Sequence, residues 1–117
     1  MKKSVYISGK ITGLEETATR ERFLLAQGKW LGRGYDVVNP FAVYDFLKQE
    51  KICELNWANI MVYDLFALKD CGVIYMLDGW MDSPGARIER DFASRLGLEV
   101  IYEDTTTENI IENGNRM

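Results

Sequence analysis

The sequence has 117 residues, of which 47% are hydrophobic and 27% charged, and its net charge at neutral pH is −4. This length suits one domain with one core, and scattered basic residues on an acidic chain argue against binding to a nucleic-acid backbone. The chain contains no histidine, which excludes histidine-based triads, histidine general bases and most zinc sites. Acid–base chemistry must therefore use carboxylate, tyrosine, lysine or thiol groups.

From the distribution of apolar residues we expect neither a membrane span nor a secretion signal. No apolar run approaches the roughly 18 residues that span a bilayer, and the apolar stretch near the N-terminus is too short for a signal peptide. Cys53 and Cys71 are too few for a disulfide framework and lack metal-ligand spacing. We therefore expect a cytoplasmic protein with no metal site and no membrane partner.

Hydrophobic periodicity and turn-forming residues predict strands that alternate with helices. The residues 1–104 are expected to form one domain, followed by a polar tail or short helix over 105–117. The predicted strands are 3–9, 35–40, 73–77 and 98–103, and the predicted helices are 14–34, 41–49, 54–72 and 83–97.

This alternation predicts an α/β fold, a flavodoxin/Rossmann-like open parallel sheet of four to five strands with helices on both faces. Ligands of such sheets bind beyond the carboxyl ends of the strands, at a switch point. The loops expected there are "SGKITG" (8–13), "NPF" (39–41) and "DGWMDSPG" (78–85). We expect these three loops to converge on one edge of the sheet.

The helix "SPGARIERDFASRLG" (83–97) places one carboxylate where an apolar residue is expected. Ser83 suits the N-cap and Gly97 suits the end of the helix. At about 100° per residue, Arg87 lies on the polar side and Glu89 falls in the middle of the apolar face. The other residues assigned to that apolar face are Ile88, Phe92, Ala93 and Leu96.

Asp64 repeats this pattern in the helix over 54–72. It lies one turn after Ile60 and Met61, and Trp57 lies two turns earlier on the same side. A buried unpaired carboxylate costs several kcal/mol, so each carboxylate must be paired, hydrogen-bonded or protonated. A structural role, as a cap or as the partner of an arginine, and a chemical role both remain open.

Two carboxylates in different environments suit the cleavage of a glycosidic bond. Glu89 lies near the N-terminus of its helix, where the macrodipole favours the charged form of a carboxyl group. Asp64 lies in the C-terminal half of its helix, where the macrodipole favours the protonated form. This pattern predicts Glu89 as the nucleophile and Asp64 as the proton donor.

The loop over 8–13 offers backbone N–H groups and a helix N-terminus to an anion. It is neither a P-loop nor a dinucleotide fingerprint, and a strand-to-helix turn often needs glycine for conformational reasons alone. Lys10 adds a positive charge and Thr12 a hydroxyl. Trp80 either stacks on a base or shields the edge of the core.

Four segments resemble the nucleoside 2-deoxyribosyltransferase superfamily, and particularly its small, uncharacterised deoxyribosyltransferase-like members. They are "YISGKITG" (6–13), "GYDVVNP" (34–40), "DLFALKDCGVIYMLDGW" (64–80) and "SPGARIE" (83–89). The match extends from residue 5 to about residue 103. This resemblance implies a glutamate nucleophile at Glu89 and, at Asp64, an aspartate that works near the base.

Two branches of that superfamily differ six residues before the glutamate. The transferases have an aspartate there, which suits a free nucleoside, and the 2'-deoxynucleoside 5'-phosphate N-hydrolases have a serine that binds the 5'-phosphate. This chain has Ser83, and residues 10–13 match the phosphate loop of the hydrolases. The chain is thus similar to the hydrolases, because a hydroxyl tolerates a phosphate that a carboxylate would repel.

The chain departs from the pattern of both branches at several positions. Arg87 stands where a glycine is usual, Lys10 replaces the serine of the hydrolase loop and Thr12 replaces its arginine. In both branches a second subunit completes the site, which implies a homodimer or higher homo-oligomer. Asn113 and Asn115 are candidates for that contribution.

The leading expectation is an N-glycosidase that cleaves the base–sugar bond of a (2'-deoxy)nucleoside 5'-monophosphate without metal or organic cofactor. The alternative is a nucleoside 2-deoxyribosyltransferase, and the alternatives from other classes are a non-catalytic nucleotide-binding or sensing module and a structural domain. The partner is a small nucleotide or nucleoside and not a nucleic-acid polymer, with Tyr6 or Trp80 packed on its base or sugar. The expected substrate-binding residues are Tyr6, Ser8, Gly9, Lys10, Ile11, Thr12, Gly13, Trp80, Ser83 and Gly85.

Overall fold

A computed structural model describes residues 3–104 of the chain. The predicted tail over 105–117, with Asn113 and Asn115, lies outside the described residues. Strands and helices alternate as expected, with one short 3₁₀ turn at Trp80–Asp82. In chain order the elements are β1 (Ser4–Ser8), α1 (Glu16–Leu31), β2 (Asp36–Val38), α2 (Pro40–Gln49), α3 (Trp57–Leu68), β3 (Val73–Met76), α4 (Pro84–Arg95) and β4 (Glu99–Tyr102).

The four strands form one parallel sheet in the order β2-β1-β3-β4. The register pairs Tyr6 with Ile74 and Ser8 with Met76. The predicted α/β class and flavodoxin/Rossmann-like sheet are thus confirmed, with four strands. Because the chain runs from β1 to β2 on one side and reaches β3 on the other, the switch point lies between the carboxyl ends of β1 and β3.

The two faces of the sheet bury different side chains because successive residues of a strand point to opposite sides. Val5 and Ile7 of β1 pack with Phe23, Ala26 and Trp30 of α1. The other face has its own core cluster, which includes residues of β1, β3, α3 and α4: Tyr6, Ile74, Met76, Leu68, Ala86 and Ala93. The helices therefore cover both faces of the sheet.

Local capping sets where the helices begin. Three of the predicted ranges, 14–34, 54–72 and 83–97, are too long, whereas α2 begins one residue before its predicted range of 41–49. α1 begins at Glu16 because the carboxylate of Glu15 accepts hydrogen bonds from two backbone N–H groups of the first turn, at 2.7 and 2.9 Å. In α4, the hydroxyl of Ser83 caps the backbone N–H of Ala86 at 3.1 Å. Gly97 follows α4 with φ of +85°, a conformation that ends the helix.

The buried face of α4 differs from the predicted apolar face. Ile88 and Leu96 are 39% and 50% exposed, so their assignment to the buried face is wrong. Ala86, Glu89 and Ala93 are the buried residues of α4, at spacings of three and four. The small side chains allow close approach to the sheet, and the carboxylate of Glu89 lies between them along the helix.

Two negative findings concern the part of the chain that the structure describes. Its longest helix, α1, has 16 residues, and none of the four helices could cross a bilayer. Over the same residues, no three Cys, Asp or Glu side chains are grouped so that they could hold a metal ion.

Gly9 follows β1 where the backbone passes close to the core, and Gly9→Ala is expected to destabilise the protein. A Cβ there would lie 3.0 Å from Leu77 Cβ and 3.3 Å from Phe23 Cζ, so we expect a loss of about 1–3 kcal/mol in the free energy of unfolding. Chemical denaturation measures this change. The matched control is Gly28→Ala, at an exposed position of α1 where an added Cβ would meet no atom within 4 Å. A gain of about 0.5–1 kcal/mol in the free energy of unfolding is expected there. Unchanged stability of Gly9→Ala would contradict the packing described for this loop.

Candidate active site

A cavity of about 470 Å³ lies at the switch point of the sheet. The three loops expected at this edge do converge here, together with the first turns of α1, α2 and α4 and one face of α3. The residues that line the cavity are Gly9–Thr12, Leu14, Glu16, Thr19, Arg20, Pro40, Phe41, Tyr44, Trp57, Ile60, Met61, Asp64, Asp82–Ala86 and Glu89.

Glu89 lies at the buried end of this cavity and is held by two hydroxyl groups. The Oη of Tyr6 donates to its Oε2 at 2.7 Å, and the Oγ of Ser8 donates to its Oε1 at 2.6 Å. Tyr6 and Ser8 reach the same carboxylate because they are two residues apart on β1 and point to the face that α4 covers. Each oxygen of Glu89 therefore has its own donor in the interior.

Burial and hydrogen bonding act on Glu89 in opposite directions. Burial raises the pKa of its carboxyl, the two hydroxyl donors lower it, and the result is a pKa of about 7. Burial and the neighbouring carboxylates of Glu89 and Asp64 raise the pKa of Tyr6 well above its ordinary value. Tyr6 therefore stays protonated as a donor, and Glu89 can be ionised near neutral pH.

Asp64 is the second carboxylate of the cavity, and it lacks the support that Glu89 has. Its side chain is 7% exposed, and its Oδ1 is buried without a hydrogen-bond partner among the described residues. Burial, followed by repulsion from the charge of Glu89, raises its pKa to about 8. Asp64 therefore keeps its proton at a pH where Glu89 begins to lose its own.

This order of ionisation agrees with the roles predicted from the sequence, but its cause differs. The expected cause was the dipole of each helix, but Glu89 is the sixth residue of α4 and lies beyond the first turn, where the dipole is strongest. Burial raises both pKa values, and the hydroxyls of Tyr6 and Ser8 lower only that of Glu89.

One wall of the cavity is apolar and aromatic. Trp57, Ile60 and Met61 come from the same face of α3 as Asp64, and Phe41 and Tyr44 come from α2. The side chain of Trp57 is 55% exposed, and its Nε1 lies 3.9 Å from the position that a Cβ of Gly85 would take. No ligand role was expected for this wall, although the spacing 57-60-61-64 places these residues on the same side of α3 as Asp64.

A second wall of the cavity is polar and adjoins the first at Gly85, where a Cβ would lie 3.5 Å from the Sδ of Met61. It is formed by residues 9–12 after β1 and by residues 82–85 before and within the first turn of α4. Ser83 lines the cavity while its Oγ caps α4. Arg87 is exposed on the outer side of α4, as its position on the polar side predicted.

The structure brings most of the predicted site residues together. Both predicted catalytic carboxylates line the cavity, and so do six of the predicted substrate-binding residues: Gly9, Lys10, Ile11, Thr12, Ser83 and Gly85. Tyr6 and Ser8 instead lie beneath the cavity, where both are fully buried and bonded to Glu89. The expectation that Tyr6 packs on a base or sugar is thus replaced by a contact with the carboxylate.

Gly13 and Trp80 do not belong to the residues that line the cavity. The ring of Trp80 packs at 5.8 Å from that of Tyr102 on β4, and the guanidinium of Arg90 lies 5.5 Å from it. The expectation of a base-stacking role for Trp80 is therefore corrected, and its alternative, a cover for the edge of the core, fits the contacts.

The raised pKa of Asp64 predicts a specific dependence of stability on pH. An unfolded aspartate loses its proton near pH 4, whereas folded Asp64 keeps its proton to about pH 8. Because the folded state binds more protons in this interval, its stability falls as pH rises from about 4 to about 8. Asp64→Asn removes this contribution. The free energy of unfolding of the variant, relative to that of the wild type, should therefore rise by up to a few kcal/mol from about pH 4 to about pH 8.

Urea denaturation at pH 5 and pH 8 measures this difference between the variant and the wild type. Asp70→Asn is the matched control, because Asp70 is exposed and contacts the ammonium of Lys69. A parallel pH dependence in wild type and Asp64→Asn would contradict the described environment of Asp64.

Comparison with known proteins adds a family but no activity. No curated protein matches the chain. A family model described as a domain of unknown function (DUF4406) matches residues 3–102. This range includes both carboxylates, the strand β1 whose hydroxyl groups donate to Glu89, and all four helices that the structure describes. The chain therefore belongs to the DUF4406 family.

Proposed function

We propose that the protein is an N-glycosidase that cleaves the base–sugar bond of a (2'-deoxy)nucleoside 5'-monophosphate. The observation that carries this proposal is the pair of unlike carboxylates at one cavity. Glu89 accepts a hydrogen bond on each oxygen, whereas the buried Oδ1 of Asp64 has no partner among residues 3–104. A nucleotide-binding module gains nothing from two buried carboxylates next to an anion, whereas a retaining glycosidase needs both.

In the first proposed step, an oxygen of ionised Glu89 attacks C1' of the sugar. The C1'–N bond breaks, its electron pair leaves with the base, and the proton of Asp64 passes to the departing base. The product is a glycosyl ester of Glu89. The pKa order of the two groups supports this division of labour, because Asp64 retains its proton where Glu89 is ionised.

In the second proposed step, a water molecule attacks C1' and releases the sugar phosphate. Ionised Asp64 takes a proton from this water, and the C1'–O bond to Glu89 breaks, which restores both carboxylates. If a second base enters before water, its nitrogen attacks C1' and the reaction is a deoxyribosyl transfer. Transfer is the alternative activity of the same intermediate.

The two walls of the cavity support a defined orientation of the substrate. The apolar wall of Phe41, Tyr44 and Trp57 offers aromatic faces to a base. The polar wall offers Ser83 and the backbone of residues 9–12 to the phosphate. The sugar between them would then place C1' over the carboxylates, and the reaction as written needs no cofactor.

We also infer a homo-oligomer, as the resemblance implies. Its support in the structure is an apolar surface on the outer sides of α2 and α3, where Phe46, Val62 and Phe66 are 58%, 63% and 64% exposed. Apolar patches of this kind mark protein–protein contacts. A cytoplasmic location is part of the same proposal, and free Cys53 and Cys71 suit a reducing compartment.

The direct test is release of free base from a panel of nucleosides and nucleotides, followed by chromatography. We expect release from a 5'-monophosphate by the wild type and a loss of about 1,000-fold or more in Glu89→Gln, which removes the nucleophile. Asp64→Asn should lose about 100- to 10,000-fold because it cannot donate the proton. Glu21→Gln, an exposed position on α1, is the matched control and should retain activity.

Two outcomes of this panel would overturn the proposal. Undiminished release by Glu89→Gln would remove the assigned nucleophile. Binding of a nucleotide without release of base by the wild type would instead favour a binding or sensing module.

Tyr6→Phe tests how the hydroxyl of Tyr6 sustains the charge of Glu89. Removal of this donor leaves Oε2 without its hydrogen bond and raises the pKa of Glu89. The acid limb of the pH profile of kcat/KM should therefore move to higher pH, with the largest loss of activity at pH 6 and partial recovery at pH 8. Tyr75→Phe is the matched control, because Tyr75 lies on the opposite face of the sheet. An unshifted acid limb in Tyr6→Phe would contradict this role.

A further inference from the structure

The charged side chains of the cavity do not all remain available to a ligand. Six charged side chains line the cavity, and four of them, Glu16, Arg20, Asp64 and Glu89, are paired with other residues or lie at its buried end. The six are Lys10, Glu16, Arg20, Asp64, Asp82 and Glu89.

Arg20 is committed to other carboxylates. Its Nη1 and Nη2 donate to the two oxygens of Asp45, both at 2.9 Å, and its Nε donates to Glu16 at 2.9 Å. Its guanidinium also lies 4.6 Å from the ring centroid of Phe41. The two guanidinium nitrogens that could bind a phosphate in a bidentate way are thus already bonded to Asp45. The positive charge of Arg20 is balanced by Asp45 and Glu16.

The two carboxylates at the buried end do not attract an anion either. Glu89 is held by two hydroxyls, and Asp64 stands beside it without a partner among the described residues. Lys10 and Asp82 remain, one on each of the two segments that form the polar wall. Neither side chain makes a hydrogen bond or ion pair within residues 3–104, Lys10 is half-buried, and Asp82 is exposed next to Ser83.

We propose that Lys10 and Asp82 act together as a charge filter that selects substrates carrying one phosphate on the sugar. This inference rests on the proposed function, because it assigns the phosphate to the polar wall. Lys10 is the one cation of the described cavity that is not already paired, and its charge offsets one of the roughly 1.5 to 2 negative charges of a phosphate monoester. A nucleoside lacks the group that Lys10 attracts, so it gains nothing from this side chain.

Asp82 limits the filter on the other side. A second phosphate would extend the negative charge along the same wall, where Arg20 is already committed to Asp45 and Glu16. Its charge would then meet the carboxylate of Asp82 without a compensating cation. Unpaired Lys10 and Asp82 on the described polar wall therefore together favour a monophosphate over both the nucleoside and the diphosphate.

The test measures binding of deoxyguanosine, its 5'-monophosphate and its 5'-diphosphate, and of the matching thymidine series, by calorimetry. Each variant is made in a Glu89→Gln background so that turnover does not consume the ligand. In that background we expect the monophosphate of at least one series to bind about tenfold or more tightly than its nucleoside and its diphosphate. Lys10→Met should abolish most of the preference over the nucleoside and leave the affinity for the nucleoside unchanged.

Asp82→Asn should raise the affinity for the diphosphate about three- to tenfold and leave that of the nucleoside unchanged. Lys48→Met and Asp70→Asn are the matched controls, since they change the same net charge at exposed positions outside the cavity. Raising the salt concentration should weaken the monophosphate preference in the parent protein and have little effect in Lys10→Met.

The inference is overturned if Lys10→Met weakens all three ligands of a series equally, if the monophosphate preference survives in that variant, or if neither series shows a preference. Its failure is distinct from failure of the proposed function. If the wild type, with Glu89 intact, releases base but Lys10→Met leaves the phosphate preference unchanged, the charge filter alone is refuted. If the phosphate preference is found but the wild type, with Glu89 intact, releases no base, the proposed glycosidase activity alone is refuted.

Discussion

The two hydrogen bonds from Tyr6 and Ser8 to Glu89 hold a carboxylate inside the protein where an apolar side chain would otherwise pack. An unsupported carboxylate at this depth would cost several kcal/mol or stay protonated. The alternation of β1 makes the support available, because every second residue faces α4. The position of β1 in the middle of the sheet, the start of α4 at Pro84 and the orientation of Glu89 toward the cavity are therefore parts of one arrangement.

Asp64 gives this arrangement its asymmetry. Both carboxyls are buried, but only Glu89 receives donors, whereas Asp64 has an unpartnered oxygen in the described part of the chain. Two equal carboxylates would compete for one proton, whereas unequal support assigns the proton to Asp64. Burying the Oδ1 of Asp64 with no partner among residues 3–104 lowers stability, as expected at a site where a ligand supplies the contact.

The sequence predicted the alternation of elements, the parallel sheet and the anomalous positions of Glu89 and Asp64, because each depends on local periodicity. It did not predict that Tyr6 and Ser8 bind Glu89, since that contact joins residues more than 80 positions apart and requires the placement of α4 over β1. Trp80 was misassigned for a similar reason, because its partner Tyr102 belongs to β4. The sequence also did not show that the charge of Arg20 is neutralised, because its ion-pair partner Asp45 belongs to α2.

The measurement that tests the account most directly is the identification of a covalent intermediate. A rapid acid quench of wild-type protein during the first turnover of a nucleoside 5'-monophosphate, followed by peptide mass spectrometry, reports any sugar phosphate attached to the chain. The account predicts a glycosyl ester on the peptide that contains Glu89, absent from Glu89→Gln. Release of base in the first turnover with Glu89 unmodified, or an adduct on another residue, would contradict it.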